Sequence, residues 1–117
     1  EIVVVDDGST DDTRQVLDRF AGQITYLYKA NEGTAAAARN LAMRRASGEY
    51  IALLDSDDLW LPHKLEAQMA FLQTHPEMGL VSGQVGIIDS NGTFLEPGPR
   101  YPWQKAGSVR LEDIILR

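Results

Sequence analysis

Cysteine is absent from the 117 residues, which removes disulfides and thiolate metal sites and leaves the redox compartment unread. Basic charge is scarce as well: eleven Lys and Arg stand against seventeen Asp and Glu, a formal net charge of -6. Apart from the short Arg44-Arg45 pair there is no basic stripe, so nonspecific binding to duplex nucleic acid or to an anionic membrane is disfavoured. Long hydrophobic runs are missing too. No stretch approaches the roughly 20 apolar residues of a membrane span, and no signal peptide opens the chain. What is present, 44% apolar residues, suffices for one soluble domain with a core. The chain opens at "EIVVVDD", without Met and without a lead-in to what reads as a central strand. The expectation is a piece of something longer.

The pattern along the chain alternates strand and helix. "IVVV" at 2–5 is a β-branched run suited to a covered parallel sheet. It stops at Asp6-Asp7-Gly8, after which Ser9 and Asp12 have capping-box spacing for a helix of about ten residues whose apolar face is Val16, Leu17 and Phe20. "ITYLY" at 24–28 predicts a second strand, and "TAAAARNLAMRRA" a second helix. "SGEYIALL" begins with Gly48 as the helix terminator and becomes a third strand ending at Asp55. Pro62 suits the first turn of a third helix with Leu61, Leu65, Met69 and Leu72 on one face, stopped by "HPEMG". "GLVSGQVGII" predicts a fourth strand, "DSNG" at 89–92 a turn and "TFLE" a short strand. A Pro-rich loop over 97–107 and a terminal helix "VRLEDIILR" complete the chain. The fold class is therefore α/β: a doubly wound, mostly parallel sheet with helices on both faces. Residues 1–117 read as one domain, with an alternating core over 1–88 and a hairpin, loop and helix over 89–117.

In such sheets the ligand crevice lies at the carboxyl ends of the strands. Both acidic clusters fall there, Asp6-Asp7 after the first strand and Asp55, Asp57 and Asp58 after the third. Three carboxylates within four positions repel one another unless a cation or proton shares the site. A D-x-D pair supplies hard oxygen ligands to Mg²⁺ or Mn²⁺, which commonly share them with substrate phosphates. Taken alone, D-x-D is a weak motif, and an isolated Asp pair is more often a loop feature than a site.

Three linked segments add specificity: "VVVDDGSTDDT" at 3–13, "NEGTAAAARNLAMRRASGEYIALLDSDD" at 31–58 and "LWLPHKLEAQMAFLQTHPEMGLV" at 59–81. In order and spacing they resemble the inverting nucleotide-sugar glycosyltransferases of family 2, which have the GT-A fold, a Rossmann-like nucleotide-binding architecture. The resemblance implies that Asp7, with Asp6 as a further candidate, lies near the nucleotide base, that Arg39 of "ARN" serves the nucleotide or its diphosphate, and that Asp55 lies near the ribose. Asp57 and Asp55 match the metal-binding D-x-D pair, Asp57 as the direct contact, while Asp58 reads either as support for them or, by preference, as a cap of the turn before Pro62. The implied cofactor is Mg²⁺ or Mn²⁺. The implied partners are a nucleoside diphosphate sugar, UDP-linked by preference, and a carbohydrate or lipid-linked acceptor, as in cell-surface polysaccharide synthesis. The family also has a strand like "VSVIIPTYN" before the position of Glu1 and an acidic general base beyond Arg117. Glu112-Asp113 is a poor counterpart of that base. The chain is thus expected to be a truncated GT-A domain, inactive alone and prone to self-association through exposed sheet edges. The implied location is cytoplasmic, with attachment to the inner face of a membrane left open for the full-length protein.

Two rivals compete. A response-regulator receiver domain would be phosphorylated on Asp55, with Ser82 and Lys105 as later switch residues, but it has no use for "GSTDDT", "ARN" or "SGEYI". A noncatalytic α/β binding module is the other. His63 and His75 read as surface residues, Trp60 as packing beneath the D-x-D, and Tyr101 and Trp103 as weaker candidates for an acceptor sugar.

Overall fold

A computed structural model describes residues 1–83 and 85–96. Its contacts separate into two compact units, residues 1–58 and 59–117. The expected Pro-rich loop and terminal helix, with Tyr101, Trp103, Lys105 and Glu112-Asp113, lie outside the described residues.

The first unit is built on a parallel pair, β1 (Val3–Asp7) and β2 (Thr25–Lys29), aligned from Val3 opposite Thr25 to Asp7 opposite Lys29. β-branched and aromatic residues hold this extended ladder. The crossover carries α1 (Thr13–Asp18), as a parallel connection requires. This helix is shorter than the expected ten residues and starts later than the Ser9–Asp12 spacing implies. The reason is competition for the backbone: Asp6 takes the Ser9 amide at 2.8 Å, and Asp11 takes both the Thr13 amide and hydroxyl, at 3.1 and 2.6 Å. These side-chain bonds stabilise turns instead of a helical start.

Helix α2 (Ala35–Arg45) follows the sequence pattern closely, with Thr34 extended at its N-cap. Its half-buried side includes Ala37, Ala38, Leu41 and Ala42, and the helix packs against β1. It ends because Ala46 turns extended, at ψ 142°. Gly48 is therefore not the left-handed terminator expected, and it has no positive φ. Glu1 ties the following turn to the start of β1, accepting from the Ser47 hydroxyl at 2.8 Å and the Gly48 amide at 3.2 Å.

The expected third strand is the main departure. Residues 50–54 join no ladder. Ile51, Leu53 and Leu54 are 49%, 48% and 51% exposed, and no apolar residue is fully buried among the described residues. A strand needs a partner about 4.8 Å away, and among the described residues β1 is paired on one edge only, by β2. The apolar pattern is present without the neighbour that would make it a sheet.

Gly8 turns the chain out of β1. Its φ of +81° is left-handed, and a Cβ there would lie 2.7 Å from the Asn31 backbone nitrogen. Gly8→Ala combines a backbone cost of about 1–2 kcal/mol with a backbone clash. We expect the thermal midpoint to fall by about 5 °C or more, read by circular dichroism; an unchanged midpoint would refute this account of the turn.

The second unit contains α3 (Lys64–Thr74) and an antiparallel hairpin, β3 (Ile87–Ile88) with β4 (Phe94–Glu96). The "DSNG" turn forms as expected: the Asp89 carboxylate accepts from the Asn91 and Thr93 amides at 2.8 and 2.9 Å, and Gly92 is left-handed at φ 79°. Those amides, Thr93 first, lower the Asp89 pKa. The fourth strand is far shorter than "GLVSGQVGII" suggested. Its register slips between Ile87 and Ile88, which interrupts the ladder as a bulge does.

Candidate functional site

Strand alternation sends adjacent residues to opposite faces, and this separates Asp6 from Asp7. Asp6 is the one buried charged residue among those described, 6% exposed. Its two oxygens are both engaged, Oδ1 by the Ser9 amide and Oδ2 by the Tyr26 hydroxyl, each at 2.8 Å. The Ser9 amide, more than any other group, holds its pKa below the usual carboxylate value. Across the ring of Tyr26 lies the Arg14 guanidinium, 4.7 Å from the centroid, so α1 covers this face.

Asp7 faces the other way, at the end of β1. The Lys29 ammonium donates to its Oδ1 at 2.6 Å and to the Ala30 carbonyl at 2.6 Å, with Glu32 at 3.4 Å. Bonding to Asp7 is the leading cause of a raised Lys29 pKa. Lys29 was missed by the sequence reading. Its signal was its place at the end of the second strand, level with Asp7.

Arg39 and Asp55, expected as neighbours on one nucleotide, are brought together directly. The Arg39 Nε donates to Asp55 Oδ1 at 3.2 Å, and Nη2 donates to Oδ2. This two-pronged geometry is the one a guanidinium makes with a carboxylate. It fixes the start of the D-x-D turn against α2. The turn itself is closed by the Asp58 amide donating to the Asp55 carbonyl at 3.1 Å. Asp57 and Asp58 are exposed.

No group of three or more His, Cys, Asp or Glu side chains converges as a ready-made cage among the described residues. Mg²⁺ commonly uses one or two carboxylates and takes its other oxygens from phosphate and water. Asp57, an exposed hard oxygen donor beside a carboxylate already gripped by arginine, suits that role.

In the second unit, the Lys64 ammonium lies 4.0 Å over the Trp60 ring and bonds Gln68 at 3.0 Å. This is the packing partner found for Trp60. The two histidines serve α3: His63 faces Glu66 at 3.6 Å on an exposed surface, and His75 stacks on Phe71 at 4.2 Å. Among the described residues, no helix is long and apolar enough to cross a membrane.

The first unit thus combines a parallel β1–β2 pair, an acidic end to β1 and an arginine paired with the first carboxylate of the D-x-D turn. The profile described as "Glycosyl transferase family 2" matches residues 1–115, and the chain belongs to that family. It is 41% identical over its whole length to an uncharacterized glycosyltransferase of Nostoc sp., covering 36% of that protein. It is 45% identical over 99% of its length to the putative teichuronic acid biosynthesis glycosyltransferase TuaG of Bacillus subtilis, covering 47% of it. A third relative, the UDP-Glc:alpha-D-GlcNAc-diphosphoundecaprenol beta-1,3-glucosyltransferase WfgD of Escherichia coli, is 40% identical over 83% of the chain and 40% of the relative. The chain thus spans less than half the length of each. No solved structure matches it at comparable stringency. The family carries the GT-A α/β fold and generally uses divalent cations; the parallel β1–β2 pair with α1 and α2 is consistent with a truncated domain of that fold. The receiver-domain reading is set aside by this assignment.

Proposed function

We propose that this chain supplies the donor-binding part of a transferase that moves a sugar from a nucleoside diphosphate sugar, UDP-linked by preference, to an acceptor hydroxyl with inversion. The observation that carries the reading is the Arg39–Asp55 pair, which joins the "ARN" helix to the D-x-D turn across sixteen residues. It puts a permanent cation beside the carboxylates suited to a divalent metal. Asp7 serves the base, Asp55 the ribose, Arg39 the diphosphate, and Asp57 holds Mg²⁺ or Mn²⁺ with Asp55 close by. Asp6, the further candidate for the base, is taken up below. When bound, the cation offsets charge on the departing diphosphate. Arg39 orients that group, and the general base comes from outside these residues. WfgD is named for a lipid-linked diphosphate acceptor, which supports an acceptor of the same kind here; the proposed location is the cytoplasm, at the membrane's inner face.

Calorimetric titration with UDP, with and without Mn²⁺, tests this in wild type and Asp57→Ala. We expect Mn²⁺ to strengthen UDP binding by about tenfold or more, an effect of about 1.4 kcal/mol, and Asp57→Ala to abolish that gain. Affinity indifferent to Mn²⁺, or a variant that keeps the gain, would overturn the proposal.

A further inference from the structure

We propose that Tyr26 is a positioning residue of the nucleotide loop, acting through Asp6, and that Asp6 fixes this loop without touching the nucleotide. The proposal rests on the reading above only for its functional consequence. Three observations carry it.

The first is valence. A carboxylate can accept several hydrogen bonds, but Asp6 is buried and both its oxygens already have protein donors, the Ser9 amide and the Tyr26 hydroxyl. The second is direction. Asp6 and Asp7 leave opposite faces of β1, so one base cannot lie against both carboxylates from a single side. The Lys29 contact shows which face Asp7 takes, and the Arg14–Tyr26 contact shows that α1 covers the other. The third is what Asp6 holds. Its bond to Ser9 spans Asp7 and Gly8, the residue with left-handed φ, so the carboxylate clamps the turn that sets the direction in which Asp7 leaves the strand. Tyr26 completes the clamp. Without its hydroxyl, a buried carboxylate oxygen has no donor, and reorientation toward water would release Ser9.

Register singles out Tyr26. The residue directly opposite Asp6 on the ladder is Tyr28, yet Tyr28 is 60% exposed and the hydroxyl that reaches Asp6 comes from the diagonal neighbour. Tyr28→Phe is therefore a matched control.

The test has two arms, both run at a temperature where every variant is folded by circular dichroism. In the first, without nucleotide, hydrogen exchange of the Ser9 amide is followed by nuclear magnetic resonance. Tyr26→Phe is expected to speed it by about fivefold or more, the factor that corresponds to a net hydrogen bond of roughly 1 kcal/mol, while Tyr28→Phe leaves it unchanged. Equal exchange in Tyr26→Phe and wild type would overturn the clamp, whether or not the chain binds UDP. In the second, UDP affinity with Mn²⁺ is measured for Tyr26→Phe, Asp6→Asn and the double variant. We expect a several-fold loss from each single change and no further loss in the double, as two residues acting through one loop should show. A large loss in Asp6→Asn that adds to a small one in Tyr26→Phe would place Asp6 on the nucleotide and sink the proposal. Absence of UDP binding in wild type would count against the proposed function and leave the exchange arm to decide the role of Tyr26.

Discussion

Replacing Asp55 with alanine is expected to weaken Mn²⁺-dependent UDP binding by about tenfold or more while changing folding stability by less than about 1 kcal/mol. The two halves of this expectation come from one contact. The Arg39 and Asp55 side chains are 42% and 45% exposed, so water screens their attraction and ordering two side chains costs entropy. Such pairs contribute little to folding. Binding differs, because the guanidinium must be aimed at a charge that arrives only with the ligand. Held by two bonds from Asp55, Arg39 meets a diphosphate already oriented; released, it must be ordered at the moment of binding, which lowers affinity. Asp55→Asn keeps an oxygen for one of the two bonds and should fall between wild type and alanine. Titration calorimetry reads the affinity and chemical denaturation the stability. Unchanged or tighter UDP binding in Asp55→Ala would mean that Asp55 restrains Arg39 from the ligand instead of presenting it.

How far the sequence foretold this arrangement depends on the range of the forces involved. Helix α2 was legible because alanine, leucine and arginine favour helix locally and Thr34 marks its start. β1 and β2 were legible because β-branched and aromatic runs between turns have few alternatives. The "DSNG" hairpin was legible because Asp89 and Gly92 satisfy a turn by themselves. α1 was overestimated because Asp6 and Asp11 compete for the same amides that a helix start would use. The run at 50–54 had the composition of a strand, but composition does not supply a partner, and pairing is decided elsewhere in the chain.

The site divides in the same way. Asp7, Asp6, Arg39, Asp55 and Asp57 were named because their segments resemble the family's motifs. Tyr26 and Lys29 were not, since each meets its carboxylate through strand pairing across twenty or more positions, and in isolation "ITYLYK" reads only as a good strand. Period-two alternation offered a usable clue. It already implied that neighbours Asp6 and Asp7 face apart, and that a cation level with Asp7 belongs to its face.

The unpaired run at 50–54 leads to the other large effect: this chain on its own should self-associate. Ile51, Leu53 and Leu54 are each about half exposed, forgoing roughly 1 kcal/mol of burial apiece. Together that is a substantial part of the 5–15 kcal/mol by which a domain is ordinarily stable. Beside them lie backbone donors and acceptors without a ladder, and β1 has an edge not used by β2. An apolar segment without a strand partner among the described residues, and a strand edge that β2 does not use, are each a template for another strand, and in solution the strand at hand is a second copy. Light scattering should therefore report species larger than the 12.9 kDa monomer, growing with concentration, and an apolar dye should bind. Leu53→Lys places a charge in the run and should shift the distribution toward monomer. A single monomeric species across the concentration range, with no dye binding, would show that these edges are satisfied within one chain.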